Sequence, residues 1–391
     1  MVFLLRFCLE WAHIVMCCNS AGGSNHAGPL PQPLPREGQY IFSRGSAPSR
    51  ERRPTPPRAP REFEGKPRRG AALNLWFSLP GEGAGGGASH GWKHTFVALA
   101  LVLLGIAPLH AAPLRVVATT SDLASITRHV GGDLVQVTSL SGGQMDPHQV
   151  EPRPSMVQQL RQADAIVVVG MDLDGWSDAL IRVSQNPRLQ SNAPGYIDAS
   201  AKIQPLEVPV GNLDGRHGDI HVYGNPHYWL DPLNGRVIAE TIAERLAKLS
   251  PENAHAFRAN AAKFGDKIRA QMPQWTAALS GFKGEKIVAY HPTWIYFTTR
   301  FGLTVTGHIQ PLPGVSPSVS SMMALSQKMK KEKVAVIIVE TYSPQNEAAR
   351  LAQETGAKVA VLAPSVGAVS AVSDYLELIS YNVATLARLI R

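Results

Sequence analysis

Neutral imidazole is the commonest protein ligand for transition metals, and three histidines of this 391-residue chain sit in settings that suit the role. His148 lies in GGQMDPHQVEPRPS, His227 in YGNPHYWLDP, and His291 ends the run KIVAYH. Each is bordered by a proline (Pro147, Pro226, Pro292). Two have aromatic neighbours, Tyr228 and Trp229 in one case and Trp294, Tyr296 and Phe297 in the other. Prolines and packed rings stiffen a loop, as a preorganised metal site requires. Spacings of 79 and 64 residues match no local zinc motif such as HExxH or paired CxxC, so only the fold could assemble such a site. Taken singly, a loop histidine is more often a surface or hydrogen-bonded residue than a ligand.

The other candidates are weaker. His129 and His255 fall on helical stretches and read as solvated, whereas His308 follows a strand and is harder to set aside. His217 and His221, in GNLDGRHGDIHVYGNPH, fit either a solvated loop or a metal-collecting segment. Cys8, Cys17 and Cys18 are the only cysteines, which leaves the rest of the chain without a disulfide framework or a thiolate site. Two chemistries stay open for three imidazoles: zinc held as cargo, or a catalytic zinc with a bound water. No nucleophile elbow and no adjacent general base favour the second.

From Leu114 onward, short apolar runs alternate with helical ones. LRVVATT and VQVTSL read as strands around the helix LASITRHVGG, with Asp122 as its cap and Gly131-Gly132 as its end. Ser155 and Gln158 form a capping box before SMVQQLRQADA, and AIVVVG is a buried strand. RVIAETIAERLAKLS begins a long helical stretch over about 235–280. Ser250 and Pro251 restart it, and Pro273 is expected to kink its end. From Pro251 to Pro273 this helix spans about 33 Å. The runs KIVAYH, LTVTGHI, VAVIIVE and KVAVLAP follow. Strand–helix–strand units of this size predict an α/β fold: two lobes of parallel-sheet α/β units joined by one long rigid helix. The expected divisions are a lobe at 112–249, a linker helix at 250–283 and a second lobe at 284–391.

The first 111 residues are a different material. They carry 12 of the 38 Lys and Arg and 6 of the 30 Asp and Glu, so the formal charge of +8 falls to +2 over 112–391. The basic balance is therefore not a nucleic-acid footprint on the folded part. Residues 19–91 are rich in Pro, Arg and Gly without apolar periodicity, and residues 1–91 read as a disordered or mis-assigned leader. Lys93 and His94 precede TFVALALVLLGIAPLHAAP, the basic–apolar–small pattern of a secretory signal peptide over 92–111, with cleavage expected after Ala111.

MDPHQVEPRPSMVQQLRQADAIVVVG resembles the first ligand loop of the metal-binding proteins of zinc/manganese ABC transporters. GNPHYWLDP and VAYHPTWIYFTTRFGL resemble that family's second and third ligand segments, and SPENAHAFRANAAKF its linker helix. The resemblance covers about 113–391 in consistent order. It implies two lobes around a rigid helix, metal held between them, and His148, His227 and His291 as ligands. It also implies a carboxylate from the loop after the last core strand, but here that loop reads LAPSVGAVSAVSDY, with Ser365 and Val366 near the position. Glu340, ending VAVIIVE, is the nearest carboxylate, as a ligand or as a partner to a ligand histidine. Asp374 reads more simply as a helix cap, and water is the remaining option. Three imidazoles favour Zn²⁺ over Mn²⁺. His217 and His221 resemble a shortened His-rich loop. The implied function is a periplasmic, monomeric zinc-capture protein that delivers to an ABC permease in the inner membrane and performs no reaction. The alternatives are a manganese or iron-type relative, or a three-His zinc hydrolase with Glu340 as base.

Overall fold

The computed structural model describes residues 112–209, 221–312 and 315–389; the expected leader and signal peptide, the three cysteines and His217 lie outside them. Eight strands form two four-stranded parallel sheets of matching topology. Strands β1 (Leu114–Ala118), β2 (Val135–Ser139), β3 (Ala165–Val168) and β4 (Tyr196–Asp198) lie in the order β2-β1-β3-β4. Strands β5 (Lys286–Ala289), β6 (Thr304–His308), β7 (Val336–Glu340) and β8 (Lys358–Leu362) repeat it as β6-β5-β7-β8. Crossover helices are α1 (Ser121–Gly131), α2 (Pro154–Gln162) and α3 (Trp176–Ser184) in the first sheet. In the second they are α6 (Ile295–Phe301), α7 (Val319–Glu332) and α8 (Asn346–Thr355). Between the sheets run α4 (Pro232–Leu249) and the 25-residue α5 (Ala254–Ala278), about 37 Å long; α9 (Tyr375–Ala387) comes last. Among the described residues no helix is long and apolar enough to cross a membrane.

The period-two alternation of a strand decides which side chains join which core. Val116, Ala118 and Val167 of the first sheet and Ile287, Ala289 and Ile338 of the second enter one continuous apolar cluster with Phe257, Phe264 and Ile268 of α5. Their neighbours Val117, Ile166 and Val168 turn to a satellite core under α2 and α3. Val288, Ile337 and Val339 do the same under α7 and α8. Both lobes therefore bury their inner faces against shared helices.

Several local expectations give way to tertiary contacts. Thr120, not Asp122, caps α1, its hydroxyl accepting the Leu123 N–H. Asp122 is fully buried and accepts the Val366 N–H at 2.9 Å, which ties α1 to the loop after β8. No capping box forms at Ser155: α2 starts one residue earlier at Pro154, whose missing N–H needs no partner. Pro273 lies inside α5, which continues to Ala278; beyond it Trp275 is packed in the core and donates its indole N–H to Ser380 of α9 at 3.2 Å. His129 is not solvated. Its ring stacks on Phe264 at 4.8 Å and its Nε2 meets the Asp374 carboxylate at 2.6 Å. Asp374 also caps α9. Asp231 caps α4 and holds Arg300 of α6 through two contacts of 2.7 and 2.6 Å.

Two tests follow from this packing. A Cβ on Gly235 of α4 would stand 2.5 Å from the Tyr375 ring of α9. Alanine ordinarily favours a helix, but Gly235→Ala is expected to lose about 1–3 kcal/mol by overpacking, read as a lower denaturant midpoint; a gain in stability would refute the close helix contact. Burial raises the Asp122 carboxyl to about 7. The folded chain thus binds this proton more tightly than the unfolded one, and the associated stability, full below about 4, is lost as pH rises to about 7. Asp122→Asn, which cannot ionise, should gain on the wild type as pH rises from about 4 to about 7, by up to about 1.4 kcal/mol per pH unit inside that window, and level off above it. Parallel pH profiles would exclude a buried ionisable Asp122.

Candidate metal centre

Loops at or beyond the C-terminal ends of β2, β4 and β5 bring three of the histidines together, as open α/β sheets place their ligands. In the first loop the Asp146 carboxylate accepts the His148 N–H at 2.9 Å, and the Trp176 indole donates to the Pro147 carbonyl at 3.0 Å. His227 precedes one 3-10 turn, Tyr228–Leu230, anchored by two buried rings. Tyr228 donates to the Val169 carbonyl at 2.7 Å and Trp229 to that of Pro364 at 3.0 Å. His291 sits two residues past β5 and leads into the turn Pro292–Trp294, where Trp294 is fully buried.

His148, His221, His227 and His291 line one cavity of about 200 Å³, together with Asp146 and Glu207. The Nε2 atoms of His148 and His227 are 3.2 Å apart. Two nitrogens about 2.0–2.1 Å from one tetrahedral zinc would be about 3.3 Å apart, so this pair already has the edge length of such a site. The His221 ring lies 5.1 Å from that of His148. Among the described residues no three ligand-type side chains yet stand in full coordinating geometry. The pair is set, and two further imidazoles face the same space.

Burial, then the neighbouring His148, His221 and His291 rings, hold the His227 pKa well below its ordinary value and keep the ring neutral, the form that binds metal. His291 Nδ1 is buried without a hydrogen-bond partner, a polar atom that a cation would satisfy. His308, at the end of β6, is pushed down to about 4 by burial, with His291 and Lys328 adding to the effect; it does not line the cavity.

The remaining sequence candidates lie elsewhere. Glu340 ends β7 with no exposed surface and does not line the cavity. Its two oxygens accept the Trp294 indole N–H at 2.8 Å and the Ser343 hydroxyl at 2.9 Å. Burial raises its pKa, while the nearby His291 opposes that rise. Ser365 and Val366 are buried in the loop that meets Asp122. His255 is exposed on α5. The sequence pointed to His221 only as part of a histidine-bearing segment; nothing in it marked Asp146 or Glu207.

The sequence matches the family Zinc-uptake complex component A periplasmic (ZnuA) over residues 116–389. It is 28% identical over 284 residues to the zinc-binding protein AdcA of Streptococcus pyogenes serotype M3, covering 70% of this chain and 55% of that protein. The chain thus spans about half the length of those streptococcal relatives. With the high-affinity zinc uptake system protein ZnuA of Paracoccus denitrificans it shares 28% identity over 257 residues, 58% of this chain and 75% of that one. A crystal structure of a ZnuA deletion mutant with zinc bound is similar at TM-score 0.59 and 26% identity, covering 70% of this chain and 97% of that one. The match runs through both sheets and all three histidine segments, and the chain belongs to the periplasmic zinc-uptake complex component A family.

Proposed function

We propose that this protein captures zinc after export to the periplasm and hands it to an ABC permease in the inner membrane, with His148, His227 and His291 as ligands. The observation that carries the reading is the 3.2 Å Nε2 separation of His148 and His227 in a cavity that two more imidazoles share. His221 is the proposed fourth ligand. Glu340 acts through His291, since both of its oxygens are already bonded. An all-imidazole set suits zinc better than manganese, which prefers oxygen ligands. The hydrolase reading needed Glu340 as a base facing a metal-bound water, and its burial away from the cavity removes that support. Export rests on the basic–apolar–small pattern over 92–111, just before the family match begins at residue 116.

Zinc binding to the native state alone stabilises it by about 4 kcal/mol at a thousandfold excess over Kd. The wild type should therefore gain melting temperature with zinc. His148→Ala, His227→Ala and His291→Ala should each lose at least a hundredfold in affinity and most of that gain. His221→Ala should lose about tenfold, and Glu340→Gln less. Equal zinc-induced shifts in wild type and His227→Ala, measured by thermal melts and competition with a chelating dye, would sink the assignment.

The depressed His227 pKa has its own signature in chelator-treated protein. The unfolded chain takes up this proton first as pH falls below about 6.5. The stability from neutral His227 is thus full above that value and declines below it. His227→Gln should flatten the loss of stability between pH 6.5 and 5, read from urea midpoints. An unchanged acid limb would show that His227 titrates like an exposed histidine, and a steeper one that its folded pKa is raised; either would refute the burial effect.

A further inference from the structure

We propose that Asn225 is the positioning residue of this site: its amide fixes which His227 nitrogen faces the cavity, and joins the His227 and His291 segments into one unit. The inference rests on the reading above that His227 coordinates the metal.

Asn225 is 7% exposed, and both ends of its amide are fully used. Its Nδ2 donates to the Glu207 carboxylate at 2.9 Å and to the Pro292 carbonyl at 2.6 Å. Both partners can only accept, so the amide cannot be flipped without setting an oxygen against two acceptors. That leaves Oδ1 toward His227, where it accepts the backbone N–H at 3.0 Å and meets ring Nδ1 at 3.0 Å. An amide oxygen only accepts, so Nδ1 carries the proton. The Nε2 lone pair then points at His148 Nε2, 3.2 Å away across the cavity. In water the neutral side chain favours the opposite tautomer, with the proton on Nε2, which would block the coordinating nitrogen. Asn225 reverses that preference.

The same side chain bridges two ligand segments. Its bond to the Pro292 carbonyl holds the residue after His291, and the backbone carbonyl of Asn225 accepts the Tyr296 hydroxyl at 2.8 Å. Tyr296 in turn accepts the Leu206 N–H at 2.9 Å, beside Glu207. Glu207 lies in the left-handed backbone region, φ 51°, which a non-glycine residue keeps when its surroundings hold it there. One buried amide thus orients a ligand ring and pins the backbone beside a second one.

Two substitutions separate these roles. Asn225→Leu keeps the volume and removes every polar contact; Asn225→Asp keeps the acceptor toward His227 and loses both donations. Long-range ¹H–¹⁵N spectra of zinc-free, chelator-treated protein at pH 8 report the tautomer directly. The wild type and Asn225→Asp should show His227 protonated at Nδ1. Asn225→Leu should move that proton wholly or partly to Nε2, leave the His129 signals in place, and bind zinc 10- to 100-fold more weakly. Wild-type His227 protonated at Nε2, or an Asn225→Leu protein with unchanged tautomer and affinity, would overturn the proposal. If Asn225→Leu does not fold, Asn225→Asp decides: Nδ1–H there supports the proposal, and Nε2–H overturns it. A His227→Ala protein that keeps wild-type zinc affinity would instead defeat the ligand assignment and leave the tautomer result standing.

Discussion

The apolar core that both sheets share is the constraint on which the rest depends. Val116 and Val167 from one lobe, Ile287 and Ile338 from the other, and Phe257, Phe264 and Ile268 of α5 belong to the same buried cluster. Separating the lobes would expose that surface to water at about 25 cal/mol per Å². Polar ties reinforce it, from Asp122 to the loop after β8 and from Asp231 to Arg300. The lobes therefore behave as one framework, and the loops at their strand ends can be held in register across the junction.

A cluster of imidazoles needs such a framework. Each ring must stay neutral to ligate, and burial beside other rings favours that state. In the proposed site, groups beside the cluster supply orientation. Asn225 bonds His227, and Glu340 is fixed by Trp294 and Ser343 beside His291. The loop after β8 has a different use. Where the family resemblance implies a carboxylate ligand, Ser365 and Val366 are buried against α1, and the backbone N–H of Val366 is spent on Asp122. In the proposed site the fourth position passes to His221, which lines the same cavity.

The strands were legible because β-branched runs ending in glycine or proline leave few other choices, and alternating runs of that length imply parallel sheets. The three proposed ligand histidines stood out through their proline and aromatic settings and the family resemblance; spacings of 79 and 64 residues alone could not bring them together. Helix caps were misread where a long-range contact outbid a local one, as at Asp122, whose partner lies 244 residues away. His129 looked solvated because its partner Asp374 is 245 residues distant. Asn225 was invisible because the run Asn-Pro reads as a turn, while its work is done by an amide whose partners come from three separate segments.

The shared core also governs time. In a protein whose two halves swing apart, the dwell time of a captured ion follows a collective hinge motion, on the microsecond-to-millisecond scale. Here the halves are fused through one buried cluster to which Tyr228, Trp229 and Trp294 beside the histidines also belong, which leaves side-chain and local loop displacements, faster and shorter than a hinge motion. In the proposed site, residence is then governed by the ligand bonds themselves rather than by a closing gate. An ion held this way leaves quickly only when something outside the protein competes for its ligands or displaces the loops that carry them.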